Sequence, residues 1–233
     1  MERIDKLLGG TGRWSRKEAK ELIRAGRVTA GGRLAVRPEE KCDPKAKICV
    51  DGERIFCEKY VYLMMHKPAG LVSATEDPRE QTVLDLLPKE FQKMGLFPVG
   101  RLDKDTEGLL LLTNDGAAAH VLLAPGKHVD KVYFARVEGT LGEEDVRAFQ
   151  EGMALKDGTV CLPAGLQILS PRDTCLVTLR EGKYHQVKRM LAARGKPVLY
   201  LKRLAMGQLR LDENLPVGGW RFLTEEERNE MAR

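Results

Sequence analysis

The sequence predicts an α+β protein made of a small basic head and a larger body. Three observations carry this. Apolar runs of strand length, among them Val61–Met65, Leu109–Leu112, Lys131–Val137 and Thr174–Leu179, alternate with stretches of helical spacing. The 233 residues fit one small domain plus one medium one, and 42% of them are hydrophobic, enough to fill real cores. The charge is uneven: residues 1–37 hold ten Lys and Arg against four acids, a net of +6, so the rest carries −1 of the overall +5. A basic head on a near-neutral body points to an anionic partner for the head, and nucleic acid is the usual one.

In the head, Ile4, Leu7 and Leu8 have helical spacing, and Gly9-Gly10-Thr11-Gly12 ends that helix. Ser15-Arg16-Lys17-Glu18 reads as a capping box for a second helix that runs to about Ala25 and stops at Gly26. Its inner face is Ala19, Leu22 and Ile23. Arg16, Lys20 and Arg24 recur every fourth residue and form one outward stripe, either a phosphate grip or a solvated helix face. Arg27–Ala30 and Lys47–Val50 read as short strands, with Gly31-Gly32 and Asp51-Gly52 as turns. Residues 56–60 bridge to the body.

The body opens with the strand Val61–Met65 and a loop, His66-Lys67-Pro68-Ala69-Gly70. Thr82–Leu87 reads as a short helix stopped by Pro88. The most informative stretch is residues 100–116: a charged loop, four leucines of a buried strand, then an Asn114-Asp115-Gly116 turn. Asp103 stands between Arg101 and Lys104. A carboxylate beside fixed cations stays ionised, which suits a nucleophile or weak base and not a general acid. Gly108 lets the chain turn sharply into the strand. Lys131–Val137 is a mostly buried strand, in which Tyr133 taken alone is a core aromatic. Thr174–Leu179 is another strand. In the segment 183–191, Val187, Met190 and Leu191 make a helical apolar face. Lys188 borders that face, so its ammonium can point inward, whereas Arg189 is a surface residue. Thr224–Glu227 caps a C-terminal helix.

Other features bound the function. There is no Gly-x-x-x-x-Gly-Lys or Gly-x-Gly-x-x-Gly run, so nucleotide cofactors are not indicated. No apolar run reaches the length of a membrane span, and the polar N-terminus is not a secretory signal. Five scattered cysteines without a Cys-x-x-Cys pair argue for a reducing cytosol. Cys42, Cys49 and Cys57 remain an alternative, widely spaced metal-ligand set.

The run Gly100-Arg101-Leu102-Asp103-Lys104-Asp105-Thr106-Glu107-Gly108 through Gly116 resembles the catalytic motif of the pseudouridine synthases, in the branch that modifies ribosomal RNA. It matches that motif at every fixed position. His66-Lys67-Pro68-Ala69-Gly70 resembles the first synthase motif, with His66 where Asn is common, which leaves His66 open as an alternative general base. Lys131-Val132-Tyr133 resembles the second motif, whose tyrosine lines the uracil pocket. Gln186-Val187-Lys188-Arg189-Met190 resembles the small-subunit enzymes, in which the basic residue pairs with the catalytic aspartate. Leu201 resembles the apolar pocket wall of the last motif. Residues 1–55 resemble the S4 RNA-binding fold.

This resemblance implies an S4-like domain over 1–58. It implies a catalytic domain over 59–233, a mixed, mainly antiparallel sheet flanked by helices. The implied reaction turns a uridine of ribosomal RNA into pseudouridine: the N1–C1′ bond breaks, a C5–C1′ bond forms, and no metal or cofactor is needed. Asp103, Tyr133 and Lys188 are then catalytic, Arg101 and Leu201 bind substrate, and Arg13, Arg16, Lys17, Lys20, Arg24 and Arg27 bind RNA. The architecture best fits an enzyme of 16S ribosomal RNA. The alternatives are a 23S enzyme and a non-catalytic RNA-binding assembly factor. The implied partner is ribosomal RNA in a small-subunit assembly intermediate, met by a cytoplasmic monomer with no membrane partner.

Overall fold

The head is built from short elements. Strand β1 (Glu2–Arg3) runs into helix α1 (Ile4–Gly9), and α2 (Arg16–Arg24) comes next. The capping box is present: Ser15 Oγ accepts from the Glu18 amide at 3.2 Å, and Glu18 Oε2 accepts from the Ser15 amide at 2.7 Å. Strands β2 (Val28–Ala30), β3 (Arg33–Leu34), β5 (Ile48–Val50) and β6 (Glu53–Ile55) form an antiparallel sheet in the order β3-β2-β5-β6, while β4 (Lys41–Cys42) pairs with β1. Ile4, Leu8, Ala19 and Ile23 of the helices bury against Val28 and Ile48 of the sheet. This compact unit comprises Met1–Val61 together with Leu84–Phe97, which supplies α3 (Lys89–Lys93). Gly12, at φ +73°, lies so near α3 that a Cβ there would stand 2.8 Å from the Glu90 carbonyl oxygen. Only glycine fits both the backbone angle and the space.

The computed structural model describes residues 1–44, 46–55, 57–58, 60–124 and 129–231. Phe56 and Lys59 of the expected bridge, and with Lys59 the expected boundary at 58/59, lie outside the described residues.

The second unit comprises Tyr62–Val83 and Pro98–Arg233. In chain order the elements lying wholly or partly in it are β7 (Tyr62–Lys67), β8 (Phe97–Pro98), β9 (Glu107–Thr113), α4 (Gly116–Leu123), β10 (Lys131–Val137), α5 (Glu143–Glu151), the hairpin β11 (Met153–Ala154) and β12 (Val160–Cys161), and β13 (Gly165–Ile168). Then come β14 (Thr174–Leu179), α6 (Gln186–Ala193), β15 (Val198–Met206), β16 (Leu209–Arg210), β17 (Trp220–Phe222) and α7 (Glu225–Met231). The sheet is mixed and mainly antiparallel, with helices against it. Its order is β13-β14-β10-β15-β9-β7-β17, and along this path only β15–β9 is parallel. Phe149 of α5 and Val187, Met190 and Leu191 of α6 pack on Ala135, Val177 and Leu201 of the sheet. The middle of the sheet is dry: Leu63, Met64 and Met65 of β7 and Leu109–Leu112 of β9 are almost fully buried on both faces.

Several expectations change here. His66 and Lys67 are the buried end of β7 rather than a loop. Asn114-Asp115-Gly116 starts a helix rather than a plain turn, because Asp115 Oδ1 accepts from the Ala117 and Ala118 amides, both at 3.1 Å, and caps α4. Gly108 lies within β9 at φ +107°, where a Cβ would collide with the Arg203 backbone of β15. Its role is close strand approach, not a turn. β10 is half-buried from Lys131 to Phe134, and only Ala135 and Val137 are in the core. The helix expected before Pro88 is one 3-10 turn, Val83–Leu86.

Candidate active site

The loop bearing Asp103 is held from the side by the end of β7 and the segment after it. Ser73 Oγ donates to the Leu102 carbonyl at 2.9 Å and accepts from the Leu102 amide at 3.0 Å. The Gly70 amide donates to the Lys104 carbonyl at 2.7 Å. Lys67 is fully buried, and its ammonium donates to the carbonyls of Pro68, Lys104 and Thr106 at 2.9, 3.2 and 3.0 Å. These bonds satisfy the turn's backbone carbonyls where water cannot reach them. Burial pushes the Lys67 amine down to about 8, against the opposing pull of Asp105, Asp103 and Glu107.

A helix supplies the counter-charge. Lys188 on the first turn of α6 extends from the border of its apolar face, and its Nζ lies 3.0 Å from Asp103 Oδ2 and 2.5 Å from Asp105 Oδ1. Burial disfavours the Lys188 ammonium, but hydrogen bonds to Asp105 and Asp103 outweigh it and hold the group above the usual lysine value. The Asp105 carboxyl is held below its usual range, first by the hydrogen bond from Lys188. His185 Nε2 stands 3.5 Å from the other Asp103 oxygen, Oδ1.

Arg101, Asp103, Tyr133 and Leu201 line one cleft of about 920 Å³, together with Thr106, Lys131, Tyr184, His185 and Arg203. Four separate elements thus converge: the loop before β9, β10, β15 and the N-terminus of α6. Arg101 has no ion-pair partner among the described residues. Lys104 turns away to Glu80 at 2.7 Å, so Asp103 is not held between two sequence neighbours; its cation comes from 85 residues further along the chain. His66 does not line the cleft. It is buried with Nδ1 2.8 Å from the Leu215 carbonyl, a position unsuited to the general-base alternative.

The basic residues of the head are less uniform than their spacing implies. Arg13 pairs with Glu53 at 2.8 Å, Arg27 with Asp51 at 2.5 Å, and Arg16 approaches the buried Asp5 at 3.5 Å. Arg16 therefore leaves the outward stripe in part, because a buried carboxylate needs a compensating charge. Lys17 and Arg24 are exposed on α2 without ion pairs among the described residues, and Lys20 is half-buried. Among the described residues no group of three or more His, Cys, Asp or Glu side chains is placed to hold a metal, and no helix is long and apolar enough to cross a membrane.

The residue pattern does not single out Lys67, Ser73, Asp105 or His185. Lys67 stands inside the first motif, but the pattern attaches no role to it, because it acts through backbone carbonyls, as Ser73 does through a backbone carbonyl and amide. Asp105 stands inside the catalytic motif and His185 immediately before Gln186–Met190, and their closeness in sequence to Asp103 and Lys188 is the one available signal.

Comparison with known proteins agrees with this geometry. Residues 61–193 match the RNA pseudouridylate synthase family. An uncharacterized RNA pseudouridine synthase of Bacillus subtilis, YtzG, is 47% identical over 97% of this chain and 96% of its own. The ribosomal small subunit pseudouridine synthase A of Pseudomonas aeruginosa is 40% identical (97% and 98% covered), and the ribosomal large subunit pseudouridine synthase B of Bacillus subtilis is 37% identical (97% and 94%). A crystal structure of a pseudouridylate synthase superposes with a TM-score of 0.71 at 32% identity, covering 99% of this chain and all of that one. The match spans more than half the chain and the relatives align nearly end to end, so this protein belongs to the RNA pseudouridylate synthases, a family of isomerases.

Proposed function

We propose that this enzyme isomerises a uridine of ribosomal RNA, in the 16S molecule, with Asp103 as the essential carboxylate. The observation that carries the reading is the Lys188–Asp103 pair at 3.0 Å, beside a cleft walled by Tyr133 and Leu201. Lys188 occupies one oxygen of Asp103 and balances its charge, and Oδ1 is left to act on the nucleotide as nucleophile or base. Tyr133 and Leu201 sandwich the uracil. Arg101 fills the space in the stack when the target base swings out. The reaction neither gains nor loses atoms: N1–C1′ opens, the base turns, C5–C1′ closes, and the C5 proton is replaced at N1. Residues 1–58 serve as an S4-like RNA grip through Arg13, Arg16, Lys17, Lys20, Arg24 and Arg27. The substrate is a small-subunit assembly intermediate and the enzyme a cytoplasmic monomer.

The 40% identity to a small-subunit synthase supports the 16S target. The 37% identity to a large-subunit synthase supports a second reading, a 23S target. Mapping pseudouridine in ribosomal RNA from a strain lacking this protein separates them. The expected result is one site lost from 16S RNA, restored by the wild-type gene and not by Asp103→Asn. A site lost from 23S RNA would favour the second reading. An unchanged map would overturn both.

A further inference from the structure

Tyr184 is 73% exposed at the rim of the cleft, in the loop between β14 and α6. One face of its ring stacks on His185, with centroids 3.8 Å apart and planes 18° from parallel. The loop beneath is braced. Gln186, only 4% exposed, accepts from the Lys183 amide at 3.1 Å through its side-chain oxygen and donates to Glu181 Oε1 at 2.6 Å. Glu181 Oε1 also accepts from the Leu162 amide at 2.9 Å. His185 adopts φ +48°, a left-handed conformation that costs a non-glycine residue energy and persists only where its surroundings enforce it. A merely solvated loop needs neither the brace nor the strain. Both serve to hold an aromatic pair in one orientation, with His185 3.5 Å from Asp103 and the far face of Tyr184 open to water.

We propose that the open face of Tyr184 is a stacking platform for the nucleobase adjacent to the target uridine in single-stranded RNA. The proposal rests on the reading of the cleft as a uridine site. A base in a single strand has a face free to stack, and an aromatic ring covers that face at a favourable energy whatever the base. The platform needs a ring and no hydroxyl, so phenylalanine must serve as well as tyrosine.

The test uses the protein and short strands with one uridine flanked by 2-aminopurine, whose fluorescence is quenched by stacking, and abasic sites at all other positions. The bases beside the uridine are then the probes themselves. Wild type and Tyr184→Phe should quench the probe equally. Tyr184→Ala should lose the quenching and weaken binding between about 5-fold and about 100-fold. With abasic sites in place of the 2-aminopurines, so that the uridine has no neighbouring base, wild type and Tyr184→Ala should bind alike. Equal quenching by wild type and Tyr184→Ala, or an equal loss of affinity on the abasic strand, would overturn the platform. Tyr184-dependent quenching in a protein that forms no pseudouridine in any ribosomal RNA would overturn the activity reading and leave the platform standing. Because Tyr184 is exposed, an unchanged melting temperature in Tyr184→Ala is expected and separates lost stacking from lost folding.

Discussion

Lys188 faces two carboxylates at once, and this decides what its removal does. In Lys188→Met, Asp103 and Asp105 remain near each other without their shared cation. Turnover should fall by about 100-fold or more, as when a positioned acid–base group is lost. Asp105 should return upward toward the usual aspartate value, which carboxyl carbon NMR would report; an unshifted Asp105 would refute the pairing. Lys67 gives a second residue-scale prediction. Its folded value of about 8 lies below the usual lysine value of about 10.4. Between those values the unfolded chain holds more protons, so this group's contribution to stability rises with pH. Its clamp weakens over the same window, because a neutral amine donates two hydrogen bonds where the ammonium donates three. The rate at saturating RNA should therefore step down near pH 8 with no matching fall in melting temperature. Parallel loss of both would show that unfolding, and not the clamp, sets the alkaline limb. Asp103 and Lys188 are legible in the sequence through whole motifs. Lys67 stands in the first motif, but its role is not legible, since a lysine at the end of an apolar run reads as the strand leaving the core, and only the turn above it explains why the ammonium stays inside.

At the scale of the element, Gly108 governs the one parallel pairing along the main path of the sheet. In Gly108→Ala the new methyl group meets the Arg203 backbone at a φ that L-residues avoid. Chemical denaturation should show a loss of about 3 kcal/mol or more. A change under about 0.5 kcal/mol would mean β9 and β15 can separate there without cost. Strands β10 and β14 can be read to the residue because Val, Tyr, Phe and Thr concentrate in them and charged or small residues bound them. Helix α4 cannot, because Asn-Asp-Gly signals a turn and a helix cap with the same side-chain chemistry; the alanine run Ala117–Ala119 decides the matter for the helix. Helix α5 carries its acids in the first turn and one buried aromatic, Phe149, too few apolar positions to declare a face before the sheet is in place.

For the molecule as a whole, two units and a concentration of positive charge in the first predict a division of labour. Replacing Arg16, Lys20 and Arg24 with glutamine should weaken binding to ribosomal RNA. It should also lower the slope of log affinity against log salt by roughly one unit for each phosphate set free. Arg16 is partly engaged by Asp5, so its share should be the smallest. Single-turnover rate at saturating RNA should hardly change, and a collapse of that rate would show that the head helps to build the catalytic cleft. The first unit is also discontinuous, taking Leu84–Phe97 from beyond the first strand of the second. A gene fragment ending at Val61 would encode a head without α3, with Gly12 facing water where it should meet Glu90. Such a head is not a cassette that recombination can cut out and splice onto another enzyme at a single junction; inheriting it intact requires two crossovers, and the excised middle carries the strand that clamps the Asp103 loop.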